Sequence, residues 1–152
     1  VQPAYARAPH GHAASALWTR LLSAETNHLA TLTGNAICEI CDAIGIGTPI
    51  RRATEIIAEP DRIGRLIGLC KTVQADTYLS TPGACDYLAA ADAEARFAEA
   101  GIELQFQSFE HPHYRQGEMD FASHLGIVDA LAHLGCAETL SLIRSGRRAA
   151  IN

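Results

Sequence analysis

A turn of hydroxyl, proline and glycine residues follows a short candidate strand and offers a place for an anion. The turn Ser80–Gly83 (sequence STPG) comes directly after the candidate strand Thr77–Leu79 and precedes a helical stretch. Open α/β sheets bind ligands beyond the carboxyl ends of their strands, where hydroxyls and backbone N–H groups hold phosphate or carboxylate. The same residues also suit a strand–helix turn closed by local hydrogen bonds. Spacing alone leaves both interpretations open.

Two histidines flank a proline directly after another candidate strand. His111 and His113 stand on either side of Pro112, Tyr114 follows, and acidic residues lie before and after the run. Such histidines can act as a general base or bind a metal. No third ligand stands at a diagnostic spacing, so His111 is predicted as a base and no metal ligand is assigned. The alternative is a loop that packs on the sheet edge through Pro112 and Tyr114.

Three polar residues, His124, Asp129 and His133, fall in one late helical stretch. Asp129 and His133 are four residues apart, so their side chains can meet on one face of a helix. A helical ion pair on a solvated face and a site role for Asp129 both fit this spacing.

Cys38 and Cys41 have the CxxC spacing of redox and zinc sites. Both lie in the middle of a helical stretch, and the chain offers no second pair of cysteines at a similar spacing. The pattern therefore favours packing of small apolar thiols over metal or redox chemistry.

Strands alternate with helices in the middle of the chain. The candidate strands are Pro49–Ile57, Thr77–Leu79 and Ile102–Phe109. Strands separated by helices pair in parallel through right-handed crossovers. The sequence predicts an α/β fold with a small parallel sheet of about three strands, crossover helices and helical N- and C-terminal thirds. So small a sheet suggests part of a larger doubly wound fold.

Apolar spacing and capping residues predict where the helices begin and end. A stripe from Leu29 to Ile44, including Ile37, is preceded by Asn27 as N-cap and followed by Gly45 as stop. Five further helices are predicted. One lies around residues 17–22, one begins at about Asp61, and one ends at residue 99, before a glycine. The last two cover residues 125–134 and 138–144. We expect one domain, with a helical segment 1–47, a β-α-β-α-β core 48–110, and a loop with C-terminal helices 111–152. The absence of an initiator Met suggests a fragment that lacks an N-terminal part.

Composition narrows the class of protein. The chain has 152 residues, of which 48% are hydrophobic and 19% charged, with a net charge of −5. These values suit a globular domain and argue against a nucleic-acid or anionic-membrane surface. No apolar run is long enough for a membrane span. The five cysteines, an odd number, favour free thiols in the cytoplasm.

Several short runs between residues 62 and 137 resemble one family in order, spacing and identity. They are Leu69–Lys71, Ala75–Ser80, Asp86–Leu88, Phe97–Leu104, His111–Tyr114 and Val128–Leu131, followed by Gly135. These runs resemble the WbqC-like family, whose members are encoded with bacterial O-antigen and other surface-polysaccharide genes. The weaker upstream stretches Tyr5–Pro9 and Arg52–Glu55 also fit.

The resemblance implies transfer of glycine or another small acyl group onto an amino sugar of a nucleotide-linked precursor. The expected partners are therefore a nucleotide sugar and an amino acid, while the cofactor is unknown, with ATP as the candidate. His111 would be the base, and Asp86 and Asp129 would orient it or the sugar. The residues expected to bind the ligand are Ser80, Thr81, Pro82, Gly83, Tyr87, Arg62, Arg65 and Tyr114.

Departures from the family pattern favour a second interpretation, a ligand-binding or partner module without catalysis. Relatives commonly read SGPxG followed by Arg where this chain has STPGA followed by Cys85, and Gly126 stands where they have Ser. Their basic-Thr-acidic segment appears as Arg62-Ile63-Gly64. Their opening HQPxYxPW-like motif, which resembles the phosphate-binding entry of adenylate-forming folds, is expected to have no counterpart.

Overall fold

The computed structural model describes residues 2–23, 25–55, 61–90, 92–118 and 120–151. The chain divides into two compact units. The helical unit comprises Val1–Ile50 and His111–Gly146, and the sheet unit comprises Arg51–Glu110 and Arg147–Asn152. The single domain inferred from the length stays a prediction. None of the described helices is sufficiently long and apolar to cross a membrane.

The described elements are seven helices and two strands, besides short 3₁₀ turns. They are α1 Gln2–Tyr5, α2 Gly11–Leu22, α3 Leu29–Ile44, α4 Arg62–Thr72, β1 Thr77–Ser80, α5 Cys85–Ala90, α6 Ala93–Glu99, β2 Glu103–Phe106 and α7 Ile127–Ser145. Two predicted helix ends are confirmed, because Gly45 and Gly101 follow α3 and α6 with positive φ angles of 80° and 73°. The start of α3 differs by one residue, since His28 and not Asn27 is its N-cap.

The core of the helical unit lies where α2, α3 and α7 meet. Ala14, Ile44, Leu131 and Ala132 are buried there, with Ile40 packed against them. The apolar stripe of α3 therefore contributes to this core only near its C-terminal end, through Ile40 and Ile44. Leu29 and Ile37 are 73% and 54% exposed, because the packing partners of α3 contact it near its C-terminal end.

A kink divides α7 at Gly135, which has φ 75° and ψ 176°. Residues with a Cβ rarely adopt such a φ, whereas glycine does so without steric cost. The kink lies between the two helices predicted over 125–134 and 138–144, so the prediction of a break is confirmed. Thr139, one turn after the kink, is buried, and its hydroxyl has no partner in the described part of the chain.

The sheet of the second unit is a parallel pair. β1 and β2 run in register from Thr77 opposite Glu103 to Ser80 opposite Phe106. An isolated antiparallel bridge joins Phe106 to Ile151 on the other side of β2. The α/β class and the parallel pairing are thus confirmed, with α5 and α6 in the connection between the strands.

The first predicted strand, Pro49–Ile57, is wrong over its described part. Residues 48–52 have no regular structure, and Ala53–Glu55 form a 3₁₀ turn. Residues 56 and 57 lie outside the described residues. The physical reason is exposure: every described residue from 47 to 55 is exposed, so no buried face stabilises strand pairing there. The larger doubly wound fold stays a prediction.

The core of the sheet unit forms between α4, α5, α6 and the two strands. Its buried members are Ile63, Cys70, Ala84, Leu88, Ala93, Phe97 and Ile102. The ring of Tyr78 on β1 stacks on Phe97 with centroids 5.2 Å apart. This packing against β1 therefore stabilises the position of the strand and of the turn that follows it.

Asp61 supports α4 by two kinds of contact, and we expect a pH-dependent loss of stability. Its Oδ1 accepts a 2.9 Å hydrogen bond from the Gly64 N–H, and Arg96 binds both carboxylate oxygens at 2.8 and 3.0 Å. The Arg96 guanidinium, then the Gly64 amide, lower the pKa of Asp61 from 3.8 to about 2. A lowered folded pKa stabilises the fold above pH 3.8, and this stabilisation is lost as the pH falls toward 2.

The variant Asp61→Asn keeps an oxygen for the Gly64 amide but removes the charge. It should melt below the wild type at pH 7, and the difference should shrink as the pH falls from 4 to 2. Thermal unfolding followed by circular dichroism measures both. An equal difference at pH 7 and at pH 2 would show that the charge contributes nothing.

Candidate functional site

The predicted site residues lie in both units. His111, Tyr114 and Asp129 belong to the helical unit. The sheet unit contains the turn Ser80–Gly83 together with Asp86, Tyr87, Arg62 and Arg65.

The helical unit contains a cavity of about 630 Å³. This volume is in the range of small-molecule sites. Its walls are the segment after α1, the loop before α7 and the first turns of α7. The described lining residues are Ala4, Tyr5, Arg7, Ala8, Pro9, Gln116, Gly117, Glu118, Asp120, Ala122, Leu125, Asp129 and His133.

Asp129 is the central polar group of this cavity. It is 4% exposed. The Tyr114 hydroxyl donates a 2.6 Å hydrogen bond to its Oδ2, and His133 Nε2 lies 3.7 Å from its Oδ1. Because a buried carboxylate needs compensating partners, this arrangement holds Asp129 in one orientation at the cavity wall. The i,i+4 spacing noted in the sequence thus places Asp129 and His133 side by side in a concave site.

Tyr5 is the fourth member of the group formed by Asp129, Tyr114 and His133. Its ring meets that of His133 edge to face, with centroids 6.1 Å apart. Burial, then the charge of Asp129 and a hydrogen bond to it, raise the pKa of Tyr5. Burial, followed by the hydrogen bond to Asp129, raises the pKa of Tyr114 to about 12. Both phenols therefore remain protonated donors near neutral pH.

The loop before α7 brings further charges to the cavity. Gln116 pins it by donating from Nε2 to the Ala122 carbonyl at 2.9 Å and accepting from the Ala122 N–H at 2.7 Å. Glu118 and Asp120 lie on this loop. With Asp129 they give the described lining three carboxylates, whereas Arg7 gives it one guanidinium. The potential of the cavity therefore favours a cationic group.

His111 is half-buried and does not belong to the described lining of the cavity. Its Nδ1 lies 3.2 Å from the Pro112 carbonyl oxygen, and its ring lies 5.0 Å from that of His124 and 5.9 Å from that of Phe121. The loop interpretation agrees with this aromatic packing. Over the described ranges, no three His, Cys, Asp or Glu side chains come together as metal ligands.

The turn after β1 has the predicted position at the carboxyl end of a strand. Ser80 is buried, Thr81, Pro82 and Gly83 are exposed, and Pro82–Ala84 form a 3₁₀ turn that leads into α5. Asp86 is exposed in the first turn of α5. Its negative charge stands where an anion would benefit from the helix dipole, and so it opposes anion binding.

Arg62 and Tyr87 pair within the sheet unit. The Arg62 guanidinium carbon lies 3.9 Å from the centroid of the Tyr87 ring. Arg62 and Arg65 are both exposed at the start of α4, and Tyr87 is half-buried. This cation–π contact leaves the guanidinium edge available for hydrogen bonds.

The CxxC cysteines lie in the middle of α3 as free thiols. Cys41 is half-buried and Cys38 is exposed. Packing therefore accounts for Cys41 only, and nothing in the structure explains Cys38.

A comparison with models of protein families shows to which family the chain belongs. The model of the WbqC-like protein family matches residues 1–140 of 152. The chain belongs to the WbqC-like family. No curated protein and no solved structure matches it.

The WbqC-like match begins at residue 1, which corrects one expectation. Gln2-Pro3-Ala4-Tyr5 reads as the QPxY of the HQPxYxPW-like opening motif, so this part of the motif does have a counterpart. The departures are Val1 for the His and Arg7-Ala8 for the Pro-Trp pair. The Tyr of this motif is Tyr5, at the cavity wall beside His133. Alignment of the motif would have pointed to it from the sequence.

Gly126, where the resemblance leads us to expect Ser, is the N-cap of α7 and makes no side-chain cap. The Asp129 N–H bonds instead to the Gly126 carbonyl at 2.9 Å. A serine there would cap the helix. This departure therefore removes a helix cap that would lie close to Asp129.

Proposed function

We propose that the chain forms an amide by transferring glycine or another small acyl group to the amine of a nucleotide-linked sugar. The observation that most supports this proposal is that Asp129 is buried at the wall of the cavity between Tyr114 and His133. Family membership adds surface-polysaccharide biosynthesis as the setting. The proposed compartment is the cytoplasm.

The amine would enter the cavity as an ammonium, drawn by Glu118 and Asp120. The ammonium first gives one proton to water, which frees the nitrogen lone pair to attack the acyl carbon. His133 takes the second proton as the C–N bond forms, and the leaving group departs with the electrons of its bond to the acyl carbon. Asp129, 3.7 Å from His133 Nε2, stabilises the resulting imidazolium. The lining as described contains no Ser, Cys or Lys, so the acyl group passes directly from its activated donor to the amine.

A nucleotide would supply activation by making an acyl-adenylate, and ATP is its candidate source. The cavity does not fit a polyphosphate, because three carboxylates there face one guanidinium. Within the sheet unit, Ser80–Gly83 stays a separate proposed anion site, with Arg62 and Arg65 to offset charge. Asp86 weakens this assignment through its charge in the first turn of α5.

The test compares His133 with His111, the base predicted from the sequence. Purified chain is incubated with labelled glycine, ATP and UDP- or dTDP-linked amino sugars, and the amide product is measured by mass spectrometry. We expect His133→Gln to lower turnover by ~100-fold or more, the usual cost of losing a general base. His111→Ala should leave turnover within a few-fold. The reverse order would return the base to His111.

A non-catalytic binding module is the second candidate, favoured by the departures at Cys85 and Gly126. Thermal shifts separate it from the enzyme. A ligand at a hundred times its dissociation constant adds about 2.7 kcal/mol of stability. A shift with a nucleotide sugar, without any amide product from glycine and ATP, would support the module and exclude the glycine transferase.

A further inference from the structure

The kink in α7 provides a seat for His10. An ideal Cβ built on Gly135 would lie 3.0 Å from His10 Cε1 and 3.1 Å from both ring nitrogens. The imidazole therefore lies directly against the backbone of the kink, in space that any side chain at position 135 would fill. Positive φ and close approach both require glycine there.

His10 is also held by its backbone. Its N–H donates to the Ala132 carbonyl at 2.8 Å, and its own carbonyl accepts from the Ala14 N–H at 3.0 Å. The first bond joins the start of α2 to the last turn of α7 before the kink, and the second belongs to the first turn of α2. The next residue, Gly11, approaches the Tyr5 carbonyl so closely that a Cβ at position 11 would overlap its oxygen. Tyr5 and the seat of His10 are thus connected by a tightly folded segment.

We propose that His10 is a positioning residue: seated in the Gly135 kink, it holds Tyr5 against His133. The segment between Tyr5 and His10 forms one wall of the cavity, and the Ala8 N–H closes it by a 3.0 Å bond to the Tyr5 carbonyl. His133 lies two residues before the kink. The kink therefore sets the position of the His133 imidazole and also that of the cavity wall that contacts it. His10 would play this part whether or not the cavity carries out the proposed transfer.

The contact between Tyr5 and His133 can be read by NMR without any activity assay. The ring current of Tyr5 displaces the Cε1–H resonance of His133, which His133→Gln identifies by its disappearance. Tyr5→Leu gives the position of this resonance without the ring current. His12→Ala, an exposed change on the same helix, is the matched control.

We expect His10→Ala to move the His133 resonance to its position in Tyr5→Leu. His10→Phe, which restores a flat ring over Gly135, should keep it at the wild-type position, as should His12→Ala. Circular dichroism spectra that match the wild type establish that each variant is folded. A wild-type resonance position in folded His10→Ala would overturn the proposal, as would equal displacement in His10→Ala and His10→Phe.

Discussion

Asp129→Asn should abolish most of the proposed amide formation, by ~100-fold or more, while the fold survives. The amide occupies the same volume as the carboxylate but cannot stabilise an imidazolium on His133, whose Nε2 lies 3.7 Å away. Product formation from labelled glycine, ATP and a nucleotide-linked amino sugar measures the loss. Asp42→Asn, an exposed change on α3 of the same unit and outside the described cavity lining, is the control and should have a much smaller effect.

The ionisation of Tyr114 gives a second measurement on the same variant. Its pKa is raised to about 12, first by burial and then by donation to the negative Asp129. A neutral amide favours the protonated phenol less than a carboxylate does, so the pKa of Tyr114 should fall toward its ordinary value of ~10.

Tyrosinate absorbance between these two pH values measures the change, with Tyr114→Phe to assign it. An unchanged Tyr114 pKa in Asp129→Asn would contradict the hydrogen bond. Turnover within twofold of the wild type would separately exclude Asp129 from catalysis.

Phe97→Ala should cost about 3–5 kcal/mol of unfolding free energy, the largest stability effect that we expect from one core residue. Phe97 is 0% exposed and packs in the core of the sheet unit, with the Tyr78 ring stacked on it at 5.2 Å. Its removal leaves a cavity and deprives the stacked ring of its partner, because close-packed interiors relax only partly.

The control for this variant is Phe109→Ala in the same unit, since Phe109 is 43% exposed. It should cost far less, because less apolar surface returns to water. Urea unfolding followed by circular dichroism measures both variants, and Trp18 fluorescence follows the helical unit separately. A cost for Phe97→Ala no greater than that for Phe109→Ala would contradict the packing.

Local rules were sufficient for the elements that depend on neighbouring residues. Gly45 and Gly101 mark helix ends because glycine accepts the left-handed conformation, and Asp61 is the N-cap of α4 because its carboxylate reaches the Gly64 amide. The alternation of strand, helix and strand likewise predicted the parallel pair of β1 and β2. The same rules failed for Pro49–Ile57, since whether an apolar run becomes a strand depends on a partner and a buried face.

The sequence by itself determined the family, the α/β class and the i,i+4 spacing of Asp129 and His133. Only the tertiary structure decided that Tyr5 and Tyr114 meet Asp129 and that Asp129 is buried. Tyr5 stands far from Asp129 along the chain, and periodicity describes only contacts within one helix or strand. Contacts between distant segments depend on how those segments pack in three dimensions, which local sequence rules do not describe.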